Sequence, residues 1–209
     1  MKKLLIIVLI LAVFLVRGGI LKNKTQLNKT QSVAVQTTPV APSLVLPIDS
    51  NVERISKKFS GTYVTPQNSP VSPERFKGYH NGLDFETFSN EKNIDVSIKA
   101  ICSGPLVFKR MVSGYGGVAI QRCKINSQDV TVLYGHIRLS SIAYKINAQL
   151  KAGDTIGVLG TGYSSETDGE RKHLHLGIHK GTAINLAGYV QDKSQLIGWL
   201  DPREILQIK

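Results

Sequence analysis

The chain has 209 residues, 42% of them hydrophobic and 20% charged, an ordinary globular composition that excludes a disordered or collagen-like polymer. That length gives one well-cored domain plus appendages. The net charge of +11 is unevenly spread: residues 1–43 hold six basic side chains and no acid, leaving residues 44–209 at only +5, so no nucleic-acid partner is expected.

In chain order, Met1-Lys2-Lys3 precedes thirteen apolar residues, Leu4 to Val16. A basic start before a short apolar run is the pattern of a secretory signal. Extended through Arg17 and Gly18 to Leu21, the run approaches an uncleaved membrane anchor. Both readings of residues 1–21 as an apolar helix put the rest of the chain outside the cytoplasm, secreted or anchored to the membrane, because the leading charges stay inside. Lys22 to Ser43 is rich in Gln, Thr, Asn and Lys with no apolar periodicity, and reads as a flexible polar linker.

Residues 44–209 read as one mainly antiparallel β domain with short helices. Runs of β-branched and apolar residues broken by Gly and Pro predict strands at Tyr63–Thr65, Leu83–Phe88, Val96–Ile101, Pro105–Met111, Val118–Lys124, Val130–Tyr134, Thr155–Leu159 and His173–His179. Asn51–Phe59 and Ser194–Leu200 are candidate short helices, with a last turn at Pro202–Gln207. A hairpin turning near residues 112–113 would set Val107 opposite Val118 and Cys102 opposite Cys123. Outside the cell that pair can form a disulfide; otherwise both are small buried hydrophobes.

All five histidines fall between residues 80 and 179. His80 and Asp84 lie four apart, and Gly82 between them permits a bend that brings both to one ion. His136 ends a strand-like run. In Lys172-His173-Leu174-His175-Leu176 the alternation of a strand points both imidazoles to one side and both leucines into the core. His179 lies too far along that strand to share a metal with His175 and reads as a cleft-edge or surface residue. Two imidazoles and a carboxylate suit Zn²⁺, with Mn²⁺ or Co²⁺ allowed by ligand type. No H-E-x-x-H is present, so the proton acceptor for an attacking water must come from elsewhere, and histidine titrates in the right range.

Four phrases carry a resemblance: His80-Asn81-Gly82-Leu83-Asp84-Phe85, Tyr134-Gly135-His136, Lys151-Ala152-Gly153-Asp154-Thr155-Ile156-Gly157 and His173-Leu174-His175-Leu176. In this order, over about residues 45–185, the chain resembles the lysostaphin-type (LytM-like) zinc endopeptidases. The resemblance implies a LytM-like antiparallel β fold of the duplicated hybrid motif type, one Zn²⁺ per chain on His80, Asp84 and His175, and His136 and His173 as unliganded catalytic histidines. It implies peptidoglycan as partner and substrate, cut at a peptide bond by a monomer. The alternative is a module of the same fold that binds the wall or activates another hydrolase without cutting. An envelope zinc carboxypeptidase or amidase is a third reading, but those classes place a glutamate near the metal, and none stands at a recognisable spacing. Two departures from the family pattern concern the cleft walls. Arg171-Lys172 stands where relatives have Gly-Pro, after the charged insert Ser164–Glu170, and the stretch Thr65–Phe76 is long. Arg171 and Lys172 are expected either to meet a stem-peptide carboxylate or to be solvated surface.

Overall fold

The computed structural model describes residues 44–49 and 51–208; the expected apolar helix and most of the linker lie outside them. Twelve strands follow in order: β1 (Tyr63–Val64), β2 (Gly78–His80), β3 (Gly82–Glu86), β4 (Ser97–Lys99), β5 (Gly104–Val112), β6 (Gly116–Ile125), β7 (Gln128–Gly135), β8 (Gln149–Leu150), β9 (Thr155–Val158), β10 (His173–Lys180), β11 (Tyr189–Val190) and β12 (Trp199–Leu200). Two four-residue α-helices, α1 (Asn51–Arg54) and α2 (Pro202–Ile205), precede and follow the strands, and short 3₁₀ turns lie between some of the strands. Among the described residues no helix is long and apolar enough to cross a membrane.

The main sheet runs β12-β10-β7-β6-β5-β8, with β3 also pairing with β10. Its ladders are antiparallel. Strand β10 is its pivot. On one edge it meets β7 along six residues; on the other, β3 covers His173–Gly177 and β12 covers Ile178–His179. Small sheets β1-β2-β11 and β4-β9 flank it.

Alternation along β10 decides which face is core. Leu174, Leu176 and Ile178 are fully buried in the main cluster, facing Phe85 and Leu83 of β3 and Tyr134 and Val132 of β7. Ile98 of β4 and Ile156 of β9 close the same cluster. A residue this well surrounded leaves a cavity when truncated, so Leu176→Ala is expected to cost about 2–5 kcal/mol. Chemical denaturation should show it as a lowered midpoint with an unchanged slope.

Several sequence expectations need correction. Of the strands expected at Val96–Ile101 and Pro105–Met111, the first is β4, which leaves the main sheet to pair with β9, and only the second, β5, pairs with β6. The hairpin joins Val112 to Gly116, a turn centred later than residues 112–113, so Val118 faces Arg110 rather than Val107; a bulge between Leu106 and Phe108 then shifts the pairing of the strand's beginning. Cys102 therefore lies before β5 and is not a cross-strand partner of Cys123. The two still form a disulfide, with Cα atoms 6.2 Å apart. The chain brings Cys102 there by a polar anchor: buried Gln121 donates to the Cys102 and Gly104 carbonyls, and Tyr134 donates to Gln121 while accepting from the Ile101 N–H. The first expected helix stops at Arg54, and Ser194–Leu200 is a 3₁₀ turn running into β12.

Candidate functional site

The ladder between β10 and β3 places His175 directly opposite Asp84 and His173 opposite Glu86. Opposed residues of an antiparallel pair share a face, so the imidazoles and carboxylates project together, away from the leucine core. On the other edge of β10, Gly135 stands opposite His175. A Cβ on Gly135 would lie 2.6 Å from the Tyr115 ring, so the absent side chain makes the space in which Tyr115 and His175 meet.

Gly82 works in the same way and not as the bend the sequence suggests. It is an extended strand residue, and a Cβ there would fall 2.6 Å from the Leu176 carbonyl and 2.7 Å from the His175 ring. Close approach of β3 to β10 is what requires glycine. His80 ends β2, whose partner strand β11 sets Tyr189 opposite it.

The structure brings His80, Asp84 and His175 together. His80 Nε2 lies 2.9 Å from His175 Nδ1, and Asp84 Oδ1 lies 3.2 Å from each of those nitrogens. All three residues are buried. Zinc bonds of about 2.0–2.1 Å give a tetrahedron with edges of roughly 3.3 Å, and this triangle of donors matches one face of it. His80 Nδ1 lies 3.3 Å from the Phe59 carbonyl, the contact that turns Nε2 toward the other donors. These residues fit a zinc ion with one coordination position left open.

His136 and His173 stand beside this triangle with ring centroids 4.2 Å apart. Nδ1 of His173 pairs with the Arg171 carbonyl at 2.8 Å, leaving Nε2 toward the site, 3.4 Å from Asp84 Oδ2. His136 sits at the end of β7 with φ of 60°, a left-handed position that aims its ring into the cleft. Burial lowers its pKa to about 3, and burial likewise lowers His175 to about 4 and holds His173 well below the ordinary range. Burial alone would raise the Asp84 pKa, but the His80 and His173 rings and the His175 contact hold it well below the usual carboxylate value. His136, His173 and His175 are thus held as neutral imidazoles beside an ionised Asp84 carboxylate, the protonation state a cation selects.

A cavity of about 260 Å³ opens over the cluster, lined by His136, His173, His175, Tyr115, Tyr189 and Phe76 among others. Phe76, from the long stretch noted in the sequence, stacks on Tyr189 with centroids 5.3 Å apart. Arg75 donates to Glu170 at 2.8 Å and to the Asp168 carbonyl at 2.6 Å, fastening that stretch to the charged insert. Both departures from the family pattern therefore form cleft walls. His179 is not part of the cluster; it packs edge-on against Trp199 at 4.8 Å.

Three participants were not legible beforehand. Lys58 is buried, donating to Glu74 at 3.0 Å and to the Tyr189 hydroxyl at 2.7 Å, with Nζ 3.9 Å from Asp84 Oδ2. Tyr115 packs against both His136 and His175. Arg171 is neither a free carboxylate receptor nor solvated surface: its guanidinium pairs with Asp84 and Glu86. Lys172 is not free either, since Nζ donates to the Glu91 and Ile94 carbonyls. No local pattern announces these contacts, which join residues far apart in the chain.

The chain is similar to several known proteins. Endolysin 2638A of Staphylococcus phage 2638A is 30% identical over 100 residues, 47% of this chain but only 18% of the endolysin. The chain thus spans less than a fifth of that relative's length. The catalytic domain of lysostaphin from Staphylococcus simulans is 23% identical with a TM-score of 0.49, covering 75% of this chain and 95% of that one. CbpA from L. salivarius REN is 25% identical with a TM-score of 0.44, covering 72% and 88%. The sequence pattern of peptidase family M23 matches residues 78–186. That span runs from β2 through β10, includes all five clustered side chains and exceeds half the chain, so the protein belongs to peptidase family M23.

Proposed function

We propose that the chain is a zinc metalloendopeptidase that hydrolyses peptide bonds of peptidoglycan. The observation that carries this reading is the donor triangle of His80, Asp84 and His175 with two neutral, buried imidazoles beside it in one cavity. Zinc held by those three residues supplies Lewis acidity toward a carbonyl and lowers the pKa of a bound water. His173, oriented through the Arg171 carbonyl, presents Nε2 as a proton acceptor, while His136 on the facing side can hold or return a proton to a leaving amine. Tyr115 and Phe76 wall the cavity with apolar surface, which excludes water and strengthens electrostatic contacts inside. Relatedness to a phage endolysin supports the bacterial wall as substrate.

We further propose the division into an export segment (residues 1–21), a linker (22–43) and a peptidase domain (44–209). This puts the site outside the cytoplasm, where peptidoglycan lies. The test is direct. Full-length protein with zinc should release peptide fragments from purified peptidoglycan, seen by mass spectrometry as new amine and carboxyl ends, and chelation should stop it. Binding to the wall with no fragment from any peptidoglycan type would favour the non-catalytic module instead.

A further inference from the structure

The two oxygens of Asp84 face different company. Oδ1 meets only the imidazoles of His80 and His175, each at 3.2 Å. Oδ2 accepts from Arg171 Nη2 at 2.8 Å, with His173 Nε2 at 3.4 Å and Lys58 Nζ at 3.9 Å. Arg171 is itself gripped by Glu86: Nη2 donates to Oε1 at 2.5 Å and Nε to Oε2 at 2.9 Å.

The sheet register explains how this arises. Arg171, His173 and His175 alternate onto one side of the chain entering β10, and Asp84 and Glu86 share the matching face of β3, with Glu86 opposite His173. The guanidinium lies across the end of that ladder, 11% exposed, and joins both carboxylates. Its neighbour Lys172 turns away to the Glu91 and Ile94 carbonyls.

We infer that Arg171 is a positioning residue for the metal centre: clamped by Glu86, it holds Oδ2 of Asp84 and so reserves Oδ1 alone for the ion. The inference rests on the zinc reading proposed above. An unheld carboxylate can rotate and offer both oxygens, filling the position that a catalytic zinc site keeps open. The planar fork of arginine holds two carboxylates in fixed geometry, which a lysine ammonium, a mobile point charge, does not. The Arg171 carbonyl that contacts His173 is backbone and survives substitution, so the variants probe Asp84 rather than His173.

The test compares R171M, R171K and E86Q with wild type as full-length chains. Zinc affinity is measured by chelator competition, and coordination by the visible spectrum after Co²⁺ replacement. Wild type should bind about one metal and show the intense bands of four-coordinate cobalt. R171M and R171K should both lose about 10–100-fold in zinc affinity and show weaker bands of higher coordination number. E86Q, which removes only the clamp, should move in the same direction by less, and it carries the test with R171K if R171M does not fold. Wild-type affinity and spectrum in R171K would mean that charge alone matters and would overturn the inference. So would an R171M protein that is less stable yet binds zinc within twofold of wild type with an unchanged spectrum. Failure of wild type itself to bind metal is read first, and sinks the zinc reading together with this one.

Discussion

His175→Ala is expected to reduce bound zinc from about one per chain to near zero and to abolish hydrolysis. His175 supplies one of three donors, and two donors do not hold a catalytic zinc in competition with water. The choice of His175 over Asp84 is deliberate. Asp84 is surrounded by Arg171, Lys58 and three imidazoles, and removing one partner of a buried charge pair costs about 3–5 kcal/mol. Asp84→Ala would therefore mix loss of metal with loss of fold. Elemental analysis gives the stoichiometry, and thermal unfolding gives an independent readout. A ligand at a thousand times its Kd stabilises the native state by about 4 kcal/mol, so zinc should raise the wild-type melting temperature and leave that of His175→Ala unmoved. Full zinc occupancy in His175→Ala would remove this residue from the metal centre.

The second large effect separates metal binding from proton transfer. His136→Ala and His173→Ala should each keep close to one zinc per chain and lose about 10²–10⁴-fold in hydrolysis rate. Neither ring belongs to the donor triangle, and the two face each other across 4.2 Å at the cavity wall. Hydrolysis of a soluble muropeptide, alongside metal analysis of the same samples, decides the matter. Loss of zinc in His136→Ala would place that ring among the ligands, and unchanged turnover would take it out of the reaction. The pH profile adds a sign. Because burial holds the pKa of His173, the proton acceptor, well below the ordinary histidine value, its imidazole stays unprotonated as pH falls through 6.5. Turnover should therefore fail to show the loss near pH 6.5 that an exposed histidine base would impose.

Much of the site was legible in the sequence because strand periodicity is a local property. The alternation His173-Leu174-His175-Leu176 fixes two imidazoles on one side and two leucines on the other whatever the strand pairs with, and the leucines are fully buried. Cysteines 21 apart in an exported reading were open to pairing, and they do pair. Register was not legible. The turn that joins Val112 to Gly116 sets Arg110 against Val118, a bulge between Leu106 and Phe108 shifts the pairing at Leu106, and nothing in the composition marks where the turn closes or the strand bulges. Gly82 illustrates the same limit, since a glycine reads as a bend in sequence, whereas here it answers to the His175 ring across the ladder.

What the sequence determined by itself is the inventory and its facing: two imidazoles and a carboxylate suited to zinc, two more histidines nearby, and a mainly β framework to present them. What only the tertiary structure decided is which oxygen of Asp84 faces the imidazoles and which faces Arg171, and that Lys58, Tyr115 and Tyr189 gather around the cluster. The physical reason is separation along the chain. Asp84 and Arg171 are 87 residues apart, and Lys58 and Tyr189 are 131 apart. Contacts of that span are set by which strand lies beside β10, a packing outcome that no local pattern of side chains encodes.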